Sequence, residues 1–336
     1  MRWIDTEDEL RALVQEVSPS QIFVDTEYDN QRYFNARLAL VQVAWDGGEV
    51  LIDPLELDLA PLSGWGGDWL SHDGTHDWWL LEAAGWSLPG RCLDTQIAAR
   101  LLGYERFGLA ALGEAILGLE LDKSEQRSDW LRRPLNEAQR HYAIGDVVHL
   151  RAMNEVLALQ LEERGLERAW VEESALVLER AMRVGERSPK AFYKLKKLRQ
   201  ARPLIYGRAQ TLLDWRFAQA EEHNLPEFKV LGDALVLRMA QGKMLPKERS
   251  LQRLLKASKP LEWPQKPRRN DDYKEREKRI KAWRVDAAER HQMDASMVLS
   301  PQSINELAAG VATAEVAGLQ GWRAERFNDE LEALLS

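Results

Sequence analysis

The sequence predicts an α/β domain built on a mixed sheet, followed by an all-α tail made of two copies of one unit. Three observations predict it. Short branched-aliphatic runs separated by turn residues crowd the first 55 positions. Helical patterns then alternate with one further short run to about residue 165, and continue alone beyond it. Two distant tail segments, beginning at Trp215 and Trp283, repeat each other's irregular pattern.

The elements follow in chain order. IFVDTE (22–27), LALVQVAW (38–45) and EVLIDP (49–54) read as strands. The pair Gly47-Gly48 suits a hairpin between the second and third. Helices are expected over about 77–84, 95–102 and 109–117, with CLDT (92–95) as a short fourth strand. A long helix is expected from 137 to about 163, capped by Asn136. Pro260, Pro264 and Pro267 mark a break in the tail. On its two sides, WRFAQAEEHNLPEFKVL and WRVDAAERHQMDASMVL share Trp-Arg, Ala-Glu, the following His and the closing Val-Leu. The expected divisions are 1–165 for the α/β domain, 166–205 for a helical linker, and 206–265 and 272–336 for the two helical copies.

Composition bounds the setting. The single cysteine, Cys92, excludes a disulfide framework or a zinc cluster and suggests a reducing compartment. The acidic start MRWIDTEDELRALV is unlike a signal peptide, and no apolar run approaches the roughly 20 residues of a membrane span. A cytoplasmic monomer without a membrane partner is expected. The net charge of −8 does not advertise nucleic-acid binding, although 190–208 and 266–284 are locally basic; charge alone favours solvated helix faces there.

Four carboxylates stand out. Asp25 and Glu27 alternate with Thr26 on one strand and project to one face with Phe23. Burying two such acids unpaired costs roughly several kcal/mol each, and a hard divalent cation relieves that cost. The plain alternative is that the strand ends there and both acids meet water. Asp77 leads an apolar helix face containing Leu80, Leu81 and Ala84, yet by itself it reads equally as a helix cap. Asp73 competes with it one turn earlier. Asp146 interrupts the stripe of Tyr142, Leu150 and Met153 inside the long helix, where capping is no explanation. Four acids from separate elements are what two cations about 3.5–4 Å apart need in order to activate a water and stabilise a leaving oxygen. Tyr142, one turn before Asp146, has its hydroxyl in reach of whatever the acid binds, unless it is a core tyrosine.

FVDTE, HDGTHD and HYAIGD resemble the three exonuclease motifs of the DEDD superfamily. RLALVQVA, LIDPL, CLDTQIAARLLG and LDKSEQRSDWLRRPL are similar, in order and spacing, to ribonuclease D across about 20–160. The duplicated tail resembles its two HRDC (helicase and ribonuclease D C-terminal) domains more loosely. The resemblance implies a ribonuclease H-like exonuclease fold. It implies two cations, Mg²⁺ or Mn²⁺, held by Asp25, Glu27, Asp77 and Asp146, with Tyr142 as the motif tyrosine. It further implies release of 5′-mononucleotides from RNA 3′ ends, tRNA precursors being the expected substrate.

The superfamily has a tyrosine and a histidine branch, and this chain has both His141 and Tyr142. Helical geometry favours Tyr142: four residues return to the Asp146 face and five overshoot it by roughly 140°. His141 is then a surface residue. His76, Trp78, Trp79 and the stretch SGWGGDW depart from the family pattern around Asp77. Tyr28, His72, Lys123 and Arg127 are candidate substrate contacts, each with a plain packing or solvated alternative. Tyr33 and Phe34 are further candidate stacking residues. The same metals would cut DNA, so a DNA exonuclease is the competing enzyme; an inactive RNA-binding scaffold is the competing non-enzyme.

Overall fold

The computed structural model describes all residues except 1, 88–89, 185–191, 193–194, 199–200 and 264–268. The apolar runs become six strands: β1 (Arg2–Ile4), β2 (Gln21–Asp29), β3 (Arg37–Trp45), β4 (Gly48–Ile52), β5 (Asp68–Ser71) and β6 (Cys92–Asp94). They lie in the order β1-β4-β3-β2-β5-β6. β3 and β4 are antiparallel, closed by a tight turn with Gly47 at φ 102°, which glycine tolerates. β1 runs parallel to β4, β2 to β5, and β5 to β6, so the sheet is mixed. The parallel trio places the ends of β2, β5 and β6 along one edge, where ligand sites of such sheets gather.

Helices α1 (Glu7–Glu16), α2 (Thr75–Ala83), α3 (Thr95–Leu101), α4 (Leu109–Leu112), α5 (Glu137–Glu163) and α6 (Glu167–Ala181) accompany the sheet. α5 begins at a capping box in which Asn136 and Gln139 satisfy each other's backbone amides. It carries Ala143, Val147, Leu150, Met153 and Leu157 as a buried stripe. The expected helix over 109–117 divides into α4 and a wide turn over 113–117. α6, inside the stretch expected to be a linker, packs against β6 and α2. Most of the tryptophans around Asp77 are core: Trp65, Trp69, Trp78 and Trp86 are each at most 1% exposed, and their rings form a continuous chain with centroids 4.8–6.2 Å apart, while Trp79 is half-buried.

Beyond residue 184 the described residues contain no strand. The internal repeat is visible in the fold. α7 (Pro203–Glu222), α8 (Glu227–Val230) and α9 (Asp233–Ala240) match α11 (Asp271–Arg290), α12 (Ala295–Val298) and α13 (Pro301–Ala308) in length and order. Asn224 and Gln292 occupy the same left-handed turn position, at φ 50° and 48°, and Gly242 and Gly310 close the third helix of each copy. α10 (Arg249–Ala257) and α14 (Trp322–Leu335) complete the two copies.

The chain forms two compact units. One comprises 1–27, 38–184 and 268–336, so the second helical copy is grouped with the sheet. Its attachment is polar: Arg164 donates to the carbonyls of His291 and Gln292, and Arg323 pairs with Glu173 on α6. The other comprises 28–37 and 185–267. Its core joins Tyr206, Leu212, Leu213, Val236, Leu251 and Leu255, with Trp263 against Tyr206 at 5.2 Å. Phe34 packs edge-on to Phe217 at 5.1 Å, and its backbone N–H donates to Asn224 at 3.2 Å. No helix among the described residues is long and apolar enough to cross a membrane.

Candidate metal centre

β2 carries Asp25 and Glu27 past the end of its fully buried stretch 22–24, so both are half-buried on one face of the strand. α5 brings Asp146 to them from its third turn. Carboxylate oxygens of Asp25, Glu27 and Asp146 all lie within 4.8 Å of one another. Asp77 stands at the third position of α2, buried, with its Oδ1 accepting the Thr26 hydroxyl at 2.5 Å. It lies outside the trio but near enough to Asp25 for their charges to interact. Asp73, its competitor, is exposed in a left-handed turn. The four predicted acids therefore come from three elements to one end of the sheet.

Electrostatics record the crowding. Burial, opposed by the backbone N–H of Thr26, pushes the Asp25 carboxyl up to about 6. Burial and the charges of Asp25, Asp146 and Asp77 push Glu27 up to about 9. Burial and Asp25 push Asp146 up to about 8, against a hydrogen bond from Tyr142. Asp77 is also raised, first by burial and then by Asp25. At neutral pH Glu27 and Asp146 therefore hold their protons, burial and the neighbouring carboxylates opposing ionisation, the arrangement that metal ligands show in bare protein. The donor set is all hard oxygen and converges on one point, so it fits a divalent ion such as Mg²⁺ or Mn²⁺.

Tyr142 is half-buried beside Trp130, at 5.9 Å, and its hydroxyl bonds Asp146. Burial and the neighbouring carboxylates hold its proton firmly, so it stays a phenol and a donor. His141 is exposed. The remaining candidates are spread. Lys123 and Arg127 are exposed on the loop after α4, whose Asp122 is close enough to raise Asp146. Tyr28 follows Glu27 on β2, and alternation turns it to the opposite strand face. His72 is held by its Nδ1 on the Thr95 hydroxyl at 3.0 Å, and burial lowers it to about 4, leaving it neutral. Tyr33 stacks under Arg37 at 5.8 Å.

Sequence reasoning missed three residues here: Thr26, which orients Asp77; Asp122; and Asp94, which is 2% exposed. Thr26 was visible between the two acids, but its partner lies 51 residues away in sequence. Asp94 looked like an ordinary strand end.

Comparison with known proteins adds the following. A family model described as 3′-5′ exonuclease matches residues 1–162. The chain is 35% identical over 252 residues to Ribonuclease D of Jannaschia sp., covering 71% of this chain and 65% of that one. To Ribonuclease D of Nitrobacter hamburgensis it is 30% identical over 348 residues, covering 93% and 89%. Among solved structures it resembles Escherichia coli RNase D, an exoribonuclease involved in structured RNA processing, with TM-score 0.81 and 27% identity over 99% of this chain and 98% of that one. It shares its fold, at 21% identity and TM-score 0.63, with the catalytic core of RRP6 from Trypanosoma brucei, over 76% and 78% of the two chains.

Proposed function

Since the chain belongs to the ribonuclease D family of metal-dependent 3′→5′ exonucleases, we propose that it releases 5′-mononucleotides from RNA 3′ ends by two-metal-ion hydrolysis. The observation that carries this reading is the convergence of Asp25, Glu27 and Asp146 within 4.8 Å, with Asp77 beside them. These four residues would hold the cations. When bound, two such cations supply Lewis acidity to both the attacking water and the leaving oxygen of an in-line displacement at phosphorus. Asp25 and Glu27 fix the position of the centre because a strand end anchors both. Asp146 and Tyr142, one helical turn apart, move as one body. The phenol proton of Tyr142 stays on its oxygen and is donated towards the water or the scissile phosphate, orienting it. The exposed Lys123 and Arg127 on the adjoining loop approach the RNA backbone. The two HRDC-like helical copies are read as RNA-handling domains over 206–265 and 272–336, and tRNA precursors as the physiological substrate. A cytoplasmic setting fits the single buried thiol.

Tyr142→Phe is expected to lower kcat by roughly 10²-fold, the low end of what loss of one transition-state hydrogen-bond donor costs. His141→Ala leaves the rate essentially unchanged. Steady-state release of mononucleotides from a single-stranded RNA, with a matched DNA strand alongside, checks both; the reverse ranking would move the centre to histidine-branch chemistry.

Metal-free protein should also lose stability as pH rises. A carboxyl raised in the folded state above its unfolded value of about 4 contributes stability that is complete below that value and is lost as pH climbs through the folded one. The window runs from about pH 4 through the folded values near 6, 8 and 9 of Asp25, Asp146 and Glu27. The slope is up to roughly 1.4 kcal/mol per pH unit for each proton released. Thermal melts in chelator should therefore show a midpoint falling from pH 5 to 9, and Mn²⁺ should remove most of the fall. A midpoint that rises over this range would show that the acids are not crowded.

A further inference from the structure

We propose that Asp94 is the positioning residue that sets Asp77 for metal binding, by anchoring from outside the turn that starts the helix carrying it. This rests on the metal-centre reading above. α2 starts from Gly74, which has no side chain to cap the free amides of the first turn. A side chain there would displace its neighbours: a Cβ on Gly74 would lie 1.8 Å from Ser71 Oγ and 2.7 Å from Trp78 Nε1. Gly74 therefore gives the helix no side-chain cap of its own, and β6 instead anchors the turn that leads into it. Asp94 Oδ2 accepts the Gly74 N–H at 3.0 Å, and Oδ1 accepts the Asp73 N–H at 3.1 Å. Oδ1 also accepts the Gln96 N–H at 2.8 Å and the Ile97 N–H at 3.4 Å, capping α3.

The next residue closes the other side of the same turn. The Thr95 hydroxyl donates to the Ser71 carbonyl at 3.0 Å and meets His72 Nδ1 at 3.0 Å. Asp94 and Thr95 together thus hold Ser71, the last residue of β5, and all three residues that lead from it into α2. Asp94 is itself fixed to α6: its N–H donates to Ser174 Oγ at 3.0 Å, and Trp170 Nε1 donates to its carbonyl at 2.7 Å. Asp77 follows Gly74 by less than one turn, with Oδ1 committed to Thr26. A small roll of that first turn therefore swings the other carboxylate oxygen away from the Asp25 side. Supports of this kind hold a ligand's geometry without touching the ion.

Asp94→Asn separates this role from the plain capping of α3. Its one acceptor oxygen stays at the Oδ1 position, where three N–H groups face it, and its amide then presents a donor to the Gly74 N–H. The experiment is Mn²⁺ titration calorimetry on the full chain, with thermal melts in chelator and steady-state kinetics on single-stranded RNA. Asp94→Asn should weaken Mn²⁺ binding about 10- to 100-fold and lower kcat, with KM for RNA unchanged. A melt midpoint that drops while Mn²⁺ affinity stays at the wild-type value would overturn the proposal. Should Asp94→Asn fail to fold, Thr95→Val takes its place: weaker Mn²⁺ binding supports the clamp and wild-type affinity overturns it. Wild-type protein that binds no Mn²⁺ would instead remove the metal-centre reading, and the proposal with it.

Discussion

Asp25→Asn and Asp146→Asn should each lower Mg²⁺-dependent release of 5′-mononucleotides by more than about 100-fold, since changes one shell further out already cost 10- to 100-fold in metal sites. Neither variant should unfold. Asparagine keeps the shape of aspartate and removes one charge from a group in which Asp25, Glu27 and Asp146 crowd within 4.8 Å. Relief of that repulsion should raise the melting midpoint of the metal-free variants at pH 8, where the wild type is penalised for ionising. Loss of activity joined to a gain in metal-free stability distinguishes a removed ligand from a damaged fold. Single-turnover assays on end-labelled RNA and melts in chelator give both readouts. Full activity in either variant would refute the two-metal assignment.

Glu173→Ala should destabilise the protein by roughly 3–5 kcal/mol, the cost of leaving a buried charge without its partner. Glu173 and Arg323 have side chains only 7% and 9% exposed. Both guanidinium Nη atoms reach the carboxylate, and Trp322 Nε1 adds a third donor at 2.7 Å. Arg323 Nε is taken by the Met297 carbonyl at 2.7 Å. Removal of Glu173 leaves a guanidinium inside the packing of α14 on α6 with nothing to balance it. Exposed pairs set the scale for comparison: Arg168 with Glu325, at 60% and 64% exposure, is screened by solvent and contributes little. Denaturant melts of Glu173→Ala and Arg168→Ala should therefore differ severalfold in effect. Combined Glu173→Leu and Arg323→Met should recover most of the loss. Equal, small losses in both single variants would show the pair to be solvated.

The parts of this molecule legible in its sequence are those that local geometry dictates. Strand alternation puts Asp25 and Glu27 on one face, and the 3.6-residue repeat puts Tyr142 beside Asp146. α5 was bounded by Asn136 and its apolar stripe, and the duplicated tail was marked by the recurring Trp-Arg, Ala-Glu, His and Val-Leu positions. What escaped depends on partners distant in the chain. β1 has only three residues, and β5 lies within a glycine- and tryptophan-rich stretch whose pattern resembles a loop. Asp77 and Asp73 were alike in sequence because both suit a helix start; burial and the Thr26 hydroxyl distinguish them. The ion pair that holds the second helical copy joins residues 150 positions apart. The pairing of 28–37 with the first copy depends equally on long-range contacts, Phe34 with Phe217 among them.

The most direct test is anomalous diffraction from a crystal grown with Mn²⁺ and a short single-stranded RNA. Two manganese peaks about 3.5–4 Å apart are expected among Asp25, Glu27, Asp77 and Asp146, with the RNA 3′ end and the Tyr142 hydroxyl at the same point. Manganese bound elsewhere on the chain, or at none of these carboxylates while the RNA is in place, would contradict the account.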